Sequence, residues 1–313
     1  MTSQISIEQS NTFWRLKAIA IFTVFFAHMP CHLENQFLSG VFNFVGIVGV
    51  PAFLIMAGFF YFQSTSKLSV SSLKLLVPLI FWGGVTYLFS SIKWNVGIEF
   101  SGSLKGLFKW IYGCGSWLYF VPVLLWCKVL CKCKNIVWQI FLSVLSVTSI
   151  QLSSMSIIPY NEIITLYTNP FNFLIYFQMG MFYRKYQLNL NNYRYLLPAI
   201  VALIALFFVL APHYSYFSLF CIPIAISAFI LMYCLAVKIP FGETVGKLSY
   251  VIYLCHLIPV SILNRHGLEW FGPWFDYVKV PIAFSIIAFV VWLGYYLLRT
   301  FKLNSISSIL GYR

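Results

Sequence analysis

The sequence predicts an all-α protein, a polytopic membrane bundle of about ten transmembrane helices with both termini cytoplasmic. Three observations lead there. Of 313 residues, 61% are hydrophobic, 20% aromatic and only 9% charged, against about 25% charged in a soluble domain. The apolar residues recur along the whole chain in runs long enough to cross a bilayer. The basic residues then fall mainly in alternate connections between those runs.

About twenty apolar residues cross a bilayer core. On that scale the expected spans are about 13–31, 41–62, 73–92, 116–131, 135–153, 169–183, 194–212, 216–236, 246–263 and 277–299. The first opens on Arg15 and Lys17 and closes on His28. It has no small-x-small cleavage site and leads straight into further spans, so it is not expected to be a removable signal. The runs at 116–131 and 169–183 are short, which predicts less tilt or extension into their flanks. No soluble domain, low-complexity linker or internal repeat interrupts the series. Residues 1–313 are therefore expected to form one integral-membrane domain with no appended soluble one.

With the N-terminus cytoplasmic, fifteen of the 20 Lys and Arg residues lie on the cytoplasmic side. The five exceptions are Lys93, Lys105, Lys109, Arg265 and Lys279. That asymmetry sets the orientation, and it accounts for the net charge of +13 without nucleic acid as a partner. Glu34, Glu99, Glu162, Glu269 and Asp276 fall on the outer side. No carboxylate sits in the middle of a span, which weighs against a proton-coupled transporter. Cys127, Cys131 and Cys133 cluster as CKVLCKCK. No second Cys/His pair accompanies them to make four zinc ligands, so reduced thiols and no metal are expected.

Ionisable groups at membrane depth are rare and usually functional, which singles out His28. Lys17 and His28 are eleven residues apart, close to three helical turns and roughly 16 Å of rise. Both therefore share one face. A lysine at a helix end also snorkels, and a histidine also joins helices by a hydrogen bond, so the pair needs support from elsewhere in the chain.

Several stretches supply it. LKAIAIFTVFFAH at 16–28 resembles the first-helix motif of membrane-bound acyltransferase family 3, an arginine, ten residues, then a histidine. Lys17 stands at the arginine position, His28 at the histidine position, and Arg15 lies two residues early. GVPAFLIMAGFFYF (49–62) is similar to the second-helix pattern of two phenylalanines, two variable residues, then Ser-Gly, which reads Phe53-Leu54-Ile55-Met56-Ala57-Gly58 here. SSLKLLVPLIFW (71–82) resembles the basic-x-x-basic opening of the third helix, with Ser71 in the first place and Lys74 in the second. SWLYFVPVLLW, IYFQMGMFYRK and GKLSYVIYLCHLIPV resemble later helices in the same order. The last carries Ser249, Tyr250, Tyr253, Leu254 and His256.

The resemblance implies an O-acyltransferase in the bacterial inner membrane. It implies movement of an acyl group, usually acetyl from acetyl-CoA, to a hydroxyl of an envelope sugar or lipid-linked glycan. In that chemistry His28 either deprotonates the hydroxyl or accepts the acyl group covalently. A carboxylate, Glu34 or Glu162, is the candidate to orient its ring. Lys17, Arg15 and Lys74 are the candidate anchors for the donor's phosphates. Three departures stand out, Lys17 for arginine, Ala57 for serine and Ser71 for arginine, and lysine lacks the planar fork that grips phosphate at two points. A transporter or flippase of lipid-linked sugars is the competing class. It shares the spans and basic loops but would more often show internal repeats.

Overall fold

The computed structural model describes residues 7–29, 36–63, 68–91, 103–113, 117–161, 163–186, 200, 219–272 and 274–312. Among these the chain is helical and forms no strand. Helix α1 (Ile7–His28) starts ahead of its apolar run, with Glu8 in the first turn, where a carboxylate suits the positive end of the helix dipole. Next come α2 (Gln36–Gln63) and α3 (Leu68–Ser91). The short α4 (Leu104–Tyr112) is capped by Ser103, which accepts the Gly106 N–H at 3.0 Å. It ends on Gly113 in the left-handed conformation that closes helices. Helices α5 (Phe120–Leu130), α6 (Ile136–Ser154) and α7 (Leu174–Lys185) follow, then α8 (Cys221–Lys238), α9 (Glu243–Cys255), α10 (Leu257–Phe271), α11 (Phe275–Thr300) and α12 (Asn304–Leu310).

Among the described residues, α2, α3, α6, α8 and α11 are long and apolar enough to cross a bilayer. They make five spans, or six if the bent pair α9–α10 counts as one. The other expected spans take different forms. Arg15, Lys17 and His28 lower the hydropathy of α1. The run at 116–131 becomes a 3-10 turn (Trp117–Tyr119) and the 11-residue α5. That at 169–183 becomes a 3-10 turn (Pro170–Asn172) and the 12-residue α7. Each is too short to cross a bilayer alone. The run at 194–212 lies outside the described residues, apart from Ile200.

The expected span at 246–263 is broken, and its sequence explains why. Pro259 has no N–H to donate, and its ring crowds the carbonyl four residues back, that of Cys255. Helix α9 stops at Cys255, α10 restarts at Leu257, and the two meet at 68°. His256 is the corner residue. Its N–H donates to Ile252 O at 3.0 Å, and its carbonyl accepts from Val260 N–H at 3.1 Å.

The centre of the bundle is α2, flanked by α1, α7 and α8. A Cβ on Gly58 would overlap the Phe177 carbonyl oxygen, and one on Gly180 would overlap that of Ile55. These two glycines bring α2 and α7 to backbone contact, the small-residue packing that joins helices where lipid removes a hydrophobic drive. A buried polar seam holds the start of α7 in place. Ser146 donates to Phe171 O at 2.6 Å and accepts from Ile175 N–H at 3.0 Å. Ser149 and Ser153 donate to Asn172 Oδ1 at 2.8 and 3.1 Å. The serines recur every three or four residues, which puts them on one face of α6. Each buried polar group thereby finds a partner.

Candidate active site

A cavity of about 520 Å³ runs along the face of α1 that carries Lys17. On α1 its wall extends from Ser10 through Phe13, Trp14 and Lys17 to Val24, about 21 Å of helix rise. Helix α2 contributes Val50, Phe53, Met56, Ala57, Phe60 and Tyr61, and α9 contributes Ser249, Tyr250 and Tyr253. The walls are mainly aromatic and aliphatic. Lys17, Lys74 and Lys128 supply the cations.

Helix α1 meets α9 in parallel. A Cβ on Gly246 would overlap the Trp14 carbonyl oxygen, so the helices touch at backbone level near the Lys17 end. At the other end His256 lies against Phe25 and His28, with ring centroids 5.6 and 5.0 Å apart. The cavity stops at Val24, four residues short of His28 and about 6 Å along the helix. A chain of rings fills the gap. Phe120 meets Tyr253 at 5.5 Å, Tyr253 meets His256 at 5.6 Å, and His256 meets His28. The Phe120 N–H donates to the Tyr253 hydroxyl at 3.2 Å.

The bend at Pro259 therefore delivers a second imidazole to the first. His256 is fully buried, and its Nδ1 hydrogen-bonds the Tyr253 carbonyl. A carbonyl only accepts, so Nδ1 carries the proton and the neutral ring keeps its lone pair on Nε2. His28 is half-buried, and its carbonyl accepts from Asn264 Nδ2 at 2.9 Å. That bond ties the end of α1 to α10.

Of the residues singled out from sequence, Lys17 and Lys74 line the cavity, and His28 lies four residues beyond its last α1 residue, Val24. Lys17 Nζ lies 4.1 Å from the Trp14 ring centroid and 5.4 Å from that of Phe60, both cation–π distances. Arg15 is placed elsewhere. Its Nη2 and Nε donate to Glu243 Oε1 at 2.6 and 3.1 Å, and it is not part of the cavity wall. Glu34 and Glu162 lie outside the described residues. Ala57 faces the cavity where the resemblance expects serine. Within the CKVLCKCK cluster, Cys127 and Cys131 are buried while Cys133 is exposed.

Sequence reasoning singled out His256 without placing it beside His28. The signal was the proline three residues later, which marks a break at that point. It assigned Lys128, Trp14 and Tyr61 no place in the site, and nothing local in the sequence distinguishes Lys128 from the other basic residues near it.

A family model described as an acyltransferase domain matches residues 15–299. No curated protein and no solved structure matches the chain.

Proposed function

The chain belongs to acyltransferase family 3, and on that premise we propose that it moves acetyl from cytosolic acetyl-CoA to a hydroxyl of an envelope or surface polysaccharide sugar, in the bacterial inner membrane. The acceptor is an O-antigen, capsule or lipid-linked precursor. In this reading the chain crosses the membrane about ten times, and both termini are cytoplasmic, as the distribution of basic residues favours.

One observation carries the proposal. A cavity that carries Lys17, Lys74 and Lys128 continues along α1 past Lys17 toward a pair of neighbouring imidazoles. A donor with phosphates at one end and a thioester at the other suits that polarity. The phosphates rest near Lys17 and Lys74, and the acyl end enters the apolar part. Movement of the Phe120–Tyr253 ring layer then admits it to His28.

Two routes use His28. As a general base it takes the proton of the sugar hydroxyl while the alkoxide oxygen attacks the thioester carbonyl. The C–S bond breaks, and the departing thiolate takes up a proton. As a nucleophile, an imidazole nitrogen first displaces the thiolate, and the hydroxyl then attacks the acyl-imidazole. His256 borders the ring in either route, and no metal is needed.

The test uses membranes containing the protein, labelled acetyl-CoA and extracted lipid-linked glycans. Label should enter an alkali-labile ester with wild type and not with His28→Ala, at equal membrane levels. Deleting the gene should remove the same ester from surface glycans, read by mass spectrometry. Glycan movement across vesicles without ester formation would assign the protein to the transporter class instead.

A further inference from the structure

The cavity holds a cation that the donor assignment does not use. Lys128 sits in the last turn of α5, half-buried, and lines the cavity together with Lys17 and Lys74. Three contacts tie the helices that carry the lysines to the walls of this cavity. Lys17 Nζ lies over Phe60 of α2. The next residue, Tyr61, donates its hydroxyl to the Lys128 carbonyl at 2.8 Å. Tyr250, one turn beyond the Gly246–Trp14 contact, donates to the Leu75 carbonyl at 2.6 Å, beside Lys74. One turn is about 5.4 Å. The cations therefore come from three separate helices, α1, α3 and α5, and line one cavity.

The neighbours of Lys128 are placed differently. Lys134 donates to the Phe62 carbonyl at 2.7 Å, ending α2, and Lys132 is exposed and lines no part of this cavity. Among the described residues that line the cavity there is no carboxylate. Cations from three helices around one cavity suit a ligand whose anionic groups are spread too. Lysine serves such groups as a point charge.

We infer that Lys17, Lys74 and Lys128 form one anion site in the cavity, and that Lys128 is a donor-binding residue for a CoA thioester with phosphates at separate places. This rests on the donor assignment above. The shared chemistry is a phosphate ester above an apolar tail, and an anionic phospholipid headgroup offers it too.

The experiment uses the full chain in nanodiscs of zwitterionic lipid and measures binding of acetyl-CoA and of acetyl-pantetheine, which lacks the phosphates, by calorimetry. Lys128→Gln should weaken acetyl-CoA by about tenfold or more, the usual scale for a charge-assisted contact. It should leave acetyl-pantetheine unchanged. Lys128→Arg should keep most of the affinity, and Lys132→Gln should bind as wild type does. If Lys128→Gln lowers the unfolding midpoint, Lys128→Met takes its place, because it keeps the apolar stem.

Wild-type affinity for acetyl-CoA in the folded Lys128 variant would overturn the inference and leave the donor assignment standing. Equal losses for both ligands, or an equal loss in Lys132→Gln, would do the same. A wild type that binds no acetyl-CoA, and whose cavity is protected only by added phosphatidylglycerol, would overturn both.

Discussion

Helices α2 and α11 are almost equally apolar, yet 67% of the α2 span is buried and only 22% of the α11 span. Composition marks both as membrane helices and says nothing about which is central. Close packing makes the difference. Helix α2 brings Gly58 to the Phe177 backbone and receives Gly180 against Ile55. Helix α11 turns Phe289, Val290, Trp292 and Leu293 outward, a surface suited to lipid chains. Without a hydrophobic force between helices in lipid, contact depends on small residues that admit a neighbour's backbone. The cavity and the imidazole pair both lie on the packed side.

That contrast can be tested by breaking it. Gly180→Leu should have the largest effect, because its side chain meets the Ile55 carbonyl rather than a movable group. A loss of about 3 kcal/mol or more is expected, seen as failure to recover folded protein in detergent. A stable Gly180→Leu variant would remove the packing argument. The matching change on the outer helix, Val290→Ala, should stay within about 0.5 kcal/mol by thermal unfolding.

If chemistry sits in the packed half, His28→Ala should slow acyl transfer by about a thousandfold with an unchanged unfolding midpoint. Asn172→Ala removes the acceptor of Ser149 and Ser153. It should destabilise by about 2 kcal/mol, loosening α7 from α6 and leaving donor affinity per folded molecule near wild type. Arg15→Ala should be milder than either. The Arg15–Glu243 pair is partly solvated, so its loss should cost no more than about 1 kcal/mol and should shrink further as salt is raised. A large loss of donor affinity there would return Arg15 to the binding machinery.

Much of this was legible in the chain itself. Among the described residues the apolar runs predicted helices at the observed places, because a backbone in lipid satisfies its hydrogen bonds within the segment. The eleven-residue spacing of Lys17 and His28 predicted a shared face, since helical rise and turn are local properties. Less legible were the short forms of the spans at 116–131 and 169–183. Apolar content records where a segment is soluble, and helix length depends on interruptions such as the Asn169-capped turn at Pro170. The counterpart of Arg15 was hidden as well, since Glu243 lies 228 residues away.

The sequence by itself therefore determined an all-helical chain, the family, and the alignment of Lys17 with His28 on one helix. Each depends on local periodicity or on ordered motifs. Only the tertiary structure decided that Lys128 lines the cavity, that Arg15 bonds Glu243 instead of lining it, and that His256 stands beside His28. Those placements depend on how separate helices cross, and crossing is set by small-residue contacts and one proline bend among residues far apart in the chain.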